Sequence, residues 1–206
     1  HVFHGHAQGV VGLRLAALFH DLGHLPFSHD LEYALRAVRR DALPTAVREL
    51  ILDDAPHAPH EEIGHRLAEW LLRGELKEEK PTYIWAVYSL ASDILNATKR
   101  DDPLLGWLHS LIDGELDVDR ADYLLRDARA FGFEFAGYDL ERLIDNLVVV
   151  CTSRPKSLGL REGPAFETAV DERGLSALES FLISRARSNQ LLVRHHKVGQ
   201  VGAALR

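Results

Sequence analysis

Apolar residues recur at helical spacing along almost all of the 206 residues, interrupted by short stretches rich in Pro, Gly and Asp. The pattern predicts a mainly α-helical chain. A first helix is expected over Val10–His20, with Gly23, Pro26 and Ser28 breaking it before a second that takes Ser28 as its N-cap and runs to about Arg40. Pro44 suits the first turn of a helix ending near Asp53, Asp54–Pro59 reads as a loop, and His60–Leu72 is again amphipathic. Pro81 opens a helix to about Ala97, Leu104–Ile112 makes a short one, and Asp117–Phe131 ends at Gly132 in a C′ position.

Beyond a helix over Asp139–Asn146 the period changes. The β-branched run Val148-Val149-Val150 predicts a strand, paired with Ala165–Val170 across a Pro- and Gly-rich connection, so a small β-hairpin is expected near residues 147–170. Asp171-Glu172-Arg173-Gly174 turns the chain into one long final helix from Leu175 onward. Trp70, Trp85 and Trp107 fall at apolar helical positions and read as core. The length suits a single domain able to bury a core.

Composition narrows the class further. A formal net charge of −7 argues against a broad basic face for nucleic acid, so an anionic ligand must meet locally concentrated Arg and Lys. The one cysteine, Cys151, leaves no partner for an intrachain disulfide and fits a reducing compartment. No apolar run reaches the roughly 18–20 residues of a membrane span and no signal peptide is evident, so a soluble, cytoplasmic protein is expected. The chain lacks methionine even at position 1, which suggests that it begins inside a longer protein.

Nine of the twelve histidines, His1, His4, His6, His20, His24, His29, His57, His60 and His65, lie in the first 65 residues, far from an even scatter. His20 and Asp21 stand side by side at the end of the apolar stretch Leu13–Phe19, where an unpaired carboxylate would be expensive to bury and a divalent cation would satisfy it. His24 is four residues on and His29 five more. A second dense stretch follows at Glu115–Asp127, where Asp119, Tyr123 and Asp127 fall at i, i+4 and i+8 beside Arg120 and form one polar stripe suited to a phosphate. Arg185, Arg187, Arg194, His195, His196 and Lys197 form a basic stretch near the end.

Taken in order, His20-Asp21-Leu22-Gly23-His24-Leu25-Pro26-Phe27-Ser28-His29, His60-Glu61, Asp117-Val118-Asp119-Arg120-Ala121-Asp122-Tyr123 with Asp127, and His196-Lys197 resemble the HD-domain phosphohydrolases. Within that superfamily they look most like the deoxynucleoside triphosphate (dNTP) triphosphohydrolase branch. The resemblance implies an HD-domain helical bundle with a divalent metal held by His20, Asp21 and Asp119. It implies a catalytic group of His24, His60, Glu61 and His29, with Arg120, Tyr123 and Asp127 facing triphosphate and sugar. Further phosphate contacts would come from His196 and Lys197 and from Arg185 or Arg187. The implied reaction converts a dNTP to deoxynucleoside and tripolyphosphate, in a homo-oligomer that takes a nucleotide effector.

Residue chemistry points the same way. Mixed nitrogen and oxygen ligands suit Mn, Fe, Ni or Zn, whereas an all-oxygen shell would favour Mg. Such an ion activates water and polarises a phosphoryl oxygen, Arg and Lys offset the developing charge, and His60 can move a proton. The chain departs from the family pattern at two places. The upstream histidine ligand is expected before residue 1, because His20-Asp21 lies roughly 15 Å from the preceding loop at the rise of a helix, which leaves His1 and His4 poor substitutes. Arg194 stands where the branch has a tyrosine that touches the sugar. Two other readings follow from the same residues: an HD phosphohydrolase for a monophosphate, cyclic nucleotide or alarmone, and a silent nucleotide-binding module.

Overall fold

The computed structural model describes residues 6–38, 44–45, 60, 63–64, 66–68, 70, 82–97, 102–133, 137–154 and 163–205. The chain is mainly helical with one small antiparallel hairpin, as the apolar periodicity predicts. Among the described residues the α-helices are α1 (His6–Phe19), α2 (Ser28–Ala37), α3 (Thr82–Leu95), α4 (Pro103–Ser110), α5 (Val118–Phe131), α6 (Leu140–Asp145), α7 (Leu175–Ser188) and α8 (His196–Leu205). Residues 60, 63–64, 66–68 and 70 are helical as well, within the expected His60–Leu72 helix. The helix expected from Pro44 to Asp53 and the loop after it lie outside the described residues, apart from Pro44 and Thr45.

By internal packing the chain divides into two compact units, one comprising residues 1–92 and 196–206, the other residues 93–195. In the first, Ala16 of α1 and Val87, Tyr88 and Ala91 of α3 are buried, and α8 packs on α2. Small residues let the helices approach closely: a side chain at Gly12 would run into Leu90.

The second unit is built on Leu124, Leu143, Ala177 and Phe181, which join α5, α6 and α7 in one core. Phe181 and Leu124 are almost wholly buried, each worth about 1.5–3 kcal/mol relative to exposure. Its helix ends are chemically specified. Asp102, Asp117 and Asp139 cap α4, α5 and α6 with their carboxylates, and α5 stops at Gly132, whose φ of 69° is open to glycine without penalty.

Strands β1 (Leu147–Arg154) and β2 (Gly163–Val170) pair antiparallel with Leu147 opposite Val170 and Arg154 opposite Gly163, so the hairpin is longer than its Val148–Val150 signal. The Trp107 indole N–H donates to Thr168 Oγ1 at 3.0 Å and ties β2 to α4. Trp85 and Trp107 are half-buried, but Trp70 is 68% exposed and so is not the core residue its spacing suggested.

Two local expectations are corrected. Ser28 is the first residue of α2 rather than its N-cap: Phe27 takes that place in a left-handed conformation, and the Ser28 hydroxyl faces His24 instead. The single long helix expected from Leu175 is two. After Ser188 the chain widens into a π-helical turn, Asn189–Val193, closed by Arg194 N–H donating to the Asn189 carbonyl at 2.8 Å, and α8 starts afresh at His196. A turn of that width carries an additional residue and interrupts the 3.6-residue register that apolar periodicity reports.

A candidate histidine–carboxylate centre

Three elements of the first unit meet at the candidate site: the end of α1, the first turns of α2, and the helical segment that includes His60. Helix α1 ends at Phe19, and His20 continues its last turn through a backbone bond to Ala16 at 3.0 Å. The next residues cross to α2 in tight turns, Leu22 N–H to the Phe19 carbonyl and His24 N–H to that of Asp21. Gly23 sits at the crossing. Its Cα faces the backbone of His60 and Gly64 so closely that no side chain fits. This contact between two backbones brings His60 beside His24 from 36 positions away.

The His20 Nδ1 lies 2.7 Å from the Ala17 carbonyl. A carbonyl only accepts, so Nδ1 carries the proton and the neutral ring leaves its lone pair on Nε2. That nitrogen lies 3.4 Å from Asp21 Oδ1. A ring fixed through one nitrogen with the other presented beside a carboxylate is the usual arrangement of a metal-ligating histidine. The donor pair therefore fits the metal that the sequence resemblance implies.

Asp21 Oδ1 is also 3.2 Å from His24 Nε2, which links this pair to a second group. There the rings of His24 and His60 stack at 4.1 Å between centroids, and His29 stands edge-on to both at 5.0 and 5.2 Å. Beneath them is Glu32, with only 7% of its side chain exposed. Its carboxylate faces all three imidazoles through Nδ1: His60 at 3.0 Å, His29 at 3.4 Å and His24 at 3.7 Å. Sequence reading missed Glu32. The signal was present in its spacing, because position 32 is one turn after His29 on an amphipathic helix and shares its face.

His24 holds its proton less tightly than a free imidazole. Burial is the main cause, His60 and His29 add to it, and Asp21 and Glu32 oppose it. The loop leading into α2 is held in an unusual conformation, since Phe27 and Ser28 both have positive φ, 66° and 49°. Such residues cost about 1–3 kcal/mol each and persist where surrounding contacts fix them. Here the Ser28 Oγ is 3.2 Å from His24 Nδ1.

The second unit carries the other predicted residues. Asp119, Tyr123 and Asp127 lie along one half-buried face of α5, as their spacing requires. Asp117 is buried and caps α5: it accepts from the Arg120 backbone N–H at 2.7 Å and from Gly114 N–H at 3.0 Å, and it pairs with the Arg120 guanidinium. Arg120 is thus positioned by a carboxylate one turn away. The Tyr123 phenol is pushed up mainly by burial, with Arg120 and Arg185 opposing, and stays protonated as a donor.

Arg185, on α7, reaches Glu115 with a 2.7 Å ion pair and donates to its carbonyl at 3.3 Å. Arg187 is exposed two residues further along the same helix, on a different face. The structure therefore places the two arginines that the sequence left open on different faces of one helix, and Arg185, with Arg120, acts on the Tyr123 phenol. His196 and Lys197 begin α8, in the first unit, rather than continuing the helix of Arg185. Glu61, His1, His4, His57 and His65 lie outside the described residues.

No family model matches the chain. Among curated proteins it is 27% identical over 170 residues to the uncharacterized protein YwfO of Bacillus subtilis, covering 82% of this chain and 30% of that one. It is 28% identical over 174 residues to the uncharacterized protein MG461 of Mycoplasma genitalium, covering 83% and 34%. It is also 24% identical over 185 residues to the uncharacterized protein MJ1154 of Methanocaldococcus jannaschii, covering 90% and 30%. The chain spans about a third of the length of these relatives. Among the described residues no helix is long and apolar enough to cross a membrane.

Proposed function

We propose that this chain is the catalytic part of a metal-dependent phosphohydrolase that converts dNTPs to deoxynucleoside and tripolyphosphate. The observation that carries the reading is the buried Glu32 under His24, His29 and His60, beside a His20-Asp21 pair whose imidazole presents Nε2. Carboxylate-oriented imidazoles next to a nitrogen–oxygen donor pair form an acid–base group beside a metal position, which suits hydrolysis of a phosphate ester. The ordered sequence resemblance to HD-domain dNTPases adds Asp119 as a third ligand and supplies the substrate class.

When bound, a divalent ion supplies charge for a phosphoryl oxygen and lowers the pKa of water. His20 and Asp21 would hold it. His60, donating Nδ1–H to Glu32, keeps Nε2 available to take or give a proton, and the carboxylate stabilises the imidazolium that results. His24, held toward its neutral form by burial, adds a second imidazole with a lone pair to accept a proton. Arg120, Tyr123 and Arg185 would contact phosphate oxygens and sugar, Asp117 fixing the first of them.

Incubation of the chain with each dNTP and Mn²⁺ tests this, with products separated by ion chromatography. Tripolyphosphate and deoxynucleoside are expected. Pyrophosphate or orthophosphate as the first product would overturn the triphosphohydrolase assignment. Nucleotide bound but left intact, with Mn²⁺ present, would overturn the enzymatic reading and favour a silent module.

A further inference from the structure

The group around Glu32 has a geometry that the acid–base reading does not require. Three imidazoles turn the same nitrogen, Nδ1, onto one carboxylate, at 3.0, 3.4 and 3.7 Å. One donor from each of the four residues lies within 4.8 Å of every other. In tetrahedral zinc with bonds of about 2.0–2.1 Å, neighbouring ligand atoms are about 3.3–3.4 Å apart. The separations of His60 and His24 from Oε1, 3.0 and 3.7 Å, bracket that edge, while His29 faces the other carboxylate oxygen at 3.4 Å.

We infer that His24, His29, Glu32 and His60 form a zinc site of their own, separate from the His20-Asp21 pair. Two further observations favour a cation at this place. Glu32 is a carboxylate with 7% of its side chain exposed, and it faces three imidazoles, which carry charge only when protonated, so a cation held among them would offset its buried charge. His29, by contrast, has 60% of its side chain exposed, which gives an ion a path from solvent to the three inner ligands.

The proton balance is simple. Each neutral ring moves its proton from Nδ1 to Nε2 through solvent, any imidazolium releases one, and Nδ1 then donates its lone pair to zinc. Three histidines and one carboxylate fill a tetrahedron, as in closed structural sites, so zinc here carries no open position for substrate. Where the phosphohydrolase reading holds, the ion occupies the nitrogens that face Glu32 and fixes the rings that would carry protons, so zinc at this site acts as an inhibitor. The binding test below does not depend on that reading.

The chelator-stripped full chain is titrated with Zn²⁺ by calorimetry, and metal content is measured after gel filtration. The same is done in a His20→Ala/Asp21→Asn background that removes the other donor pair. One equivalent of zinc is expected to remain in that background. Adding Glu32→Gln or the exposed His29→Ala is expected to weaken its binding at least tenfold, with circular dichroism unchanged for His29→Ala. Co²⁺ in place of zinc should give the intense visible bands of a tetrahedral site, absent in His29→Ala. Zinc stoichiometry and affinity that are indifferent to both substitutions, or no zinc retained in the double-variant background, would overturn the proposal.

Discussion

His60 Nδ1 lies 3.0 Å from Glu32 Oε1, across 28 residues of sequence, and this contact sets the tautomer of an imidazole in the candidate centre. The carboxylate can only accept, so the ring must donate from Nδ1 and keep its lone pair on Nε2. Glu32→Gln retains the shape but can turn an amide N–H toward the ring and removes the charge that favours imidazolium. With Mn²⁺ supporting hydrolysis, kcat is expected to fall about 100-fold, within the range for loss of acid–base assistance. Nitrogen-15 NMR of His60 should show the Nδ1–H form giving way to a tautomeric mixture. A kcat within twofold of the parent would show that the carboxylate does not serve the reaction.

Gly23→Ala tests how the centre is assembled. A methyl group there meets backbone atoms of His60 and Gly64, which cannot rotate aside as a side-chain tip can. A loss of about 1–3 kcal/mol is expected in urea denaturation, as for other forced overpacking. The His24–His60 stacking should loosen along with it, visible as changed ring shifts for both. An unchanged denaturation midpoint would mean that the two backbones do not meet as described.

Much of this was legible in the sequence and the misses have identifiable physical causes. Helix α5 was readable from end to end because Asp117 and Gly132 mark its termini chemically and Asp119, Tyr123 and Asp127 repeat at its period. The hairpin was readable from Val148–Val150 because β-branched residues crowd a helix. Glu32 was missed because an acidic residue on an amphipathic helix reads as solvent-facing; its spacing puts it on the face of His29, and the fold adds that three histidines cover it. The break at Asn189–Val193 was hidden for a different reason: it contains neither Gly nor Pro, so composition carries no trace of the widened turn.

The acid side of the stability profile is set in part by His24. Its folded pKa is lowered from 6.5, first by burial and then by His60, so the unfolded chain binds the proton more tightly. The stability associated with neutral His24 is whole above 6.5 and is lost as the pH falls through that value and then the lowered one. In metal-free protein, stability should therefore fall more between pH 7 and pH 5 for the parent than for His24→Gln. The His24 Cε1 proton should also titrate below 6.5. A titration at or above that value would contradict the buried setting.

Asp117→Ala probes the support beneath Arg120. The carboxylate is buried, caps α5, holds Gly114 and pairs with a guanidinium, so its removal leaves backbone N–H groups and a cation without their acceptor. Loss of a cap alone costs about 1–2 kcal/mol, and the stranded pair partner adds to this. A destabilisation of about 2–3 kcal/mol is expected on those grounds, measured by thermal or urea unfolding. Asp122→Ala, in an exposed pair with Arg126, should change stability by under about 0.5 kcal/mol. Equal effects of the two substitutions would refute the distinction.

The two arginines of α7 make opposite predictions. Arg185 lies near enough to Tyr123 to influence its phenol, and its pair with Glu115 is with a side chain that is 90% exposed, so little stability rests on it. A charged hydrogen bond to phosphate is worth about 1.5–3 kcal/mol, so Arg185→Ala should raise KM for a nucleotide triphosphate about tenfold or more by the usual conversion. Arg187→Ala should leave KM within twofold, since it points from another face of the helix. Glu115→Gln supplies the complementary measurement: it frees Arg185 from a competing carboxylate and should lower KM modestly. Steady-state kinetics on the three variants decide the matter, and an Arg187→Ala effect as large as that of Arg185→Ala would sink the assignment of Arg185 to phosphate.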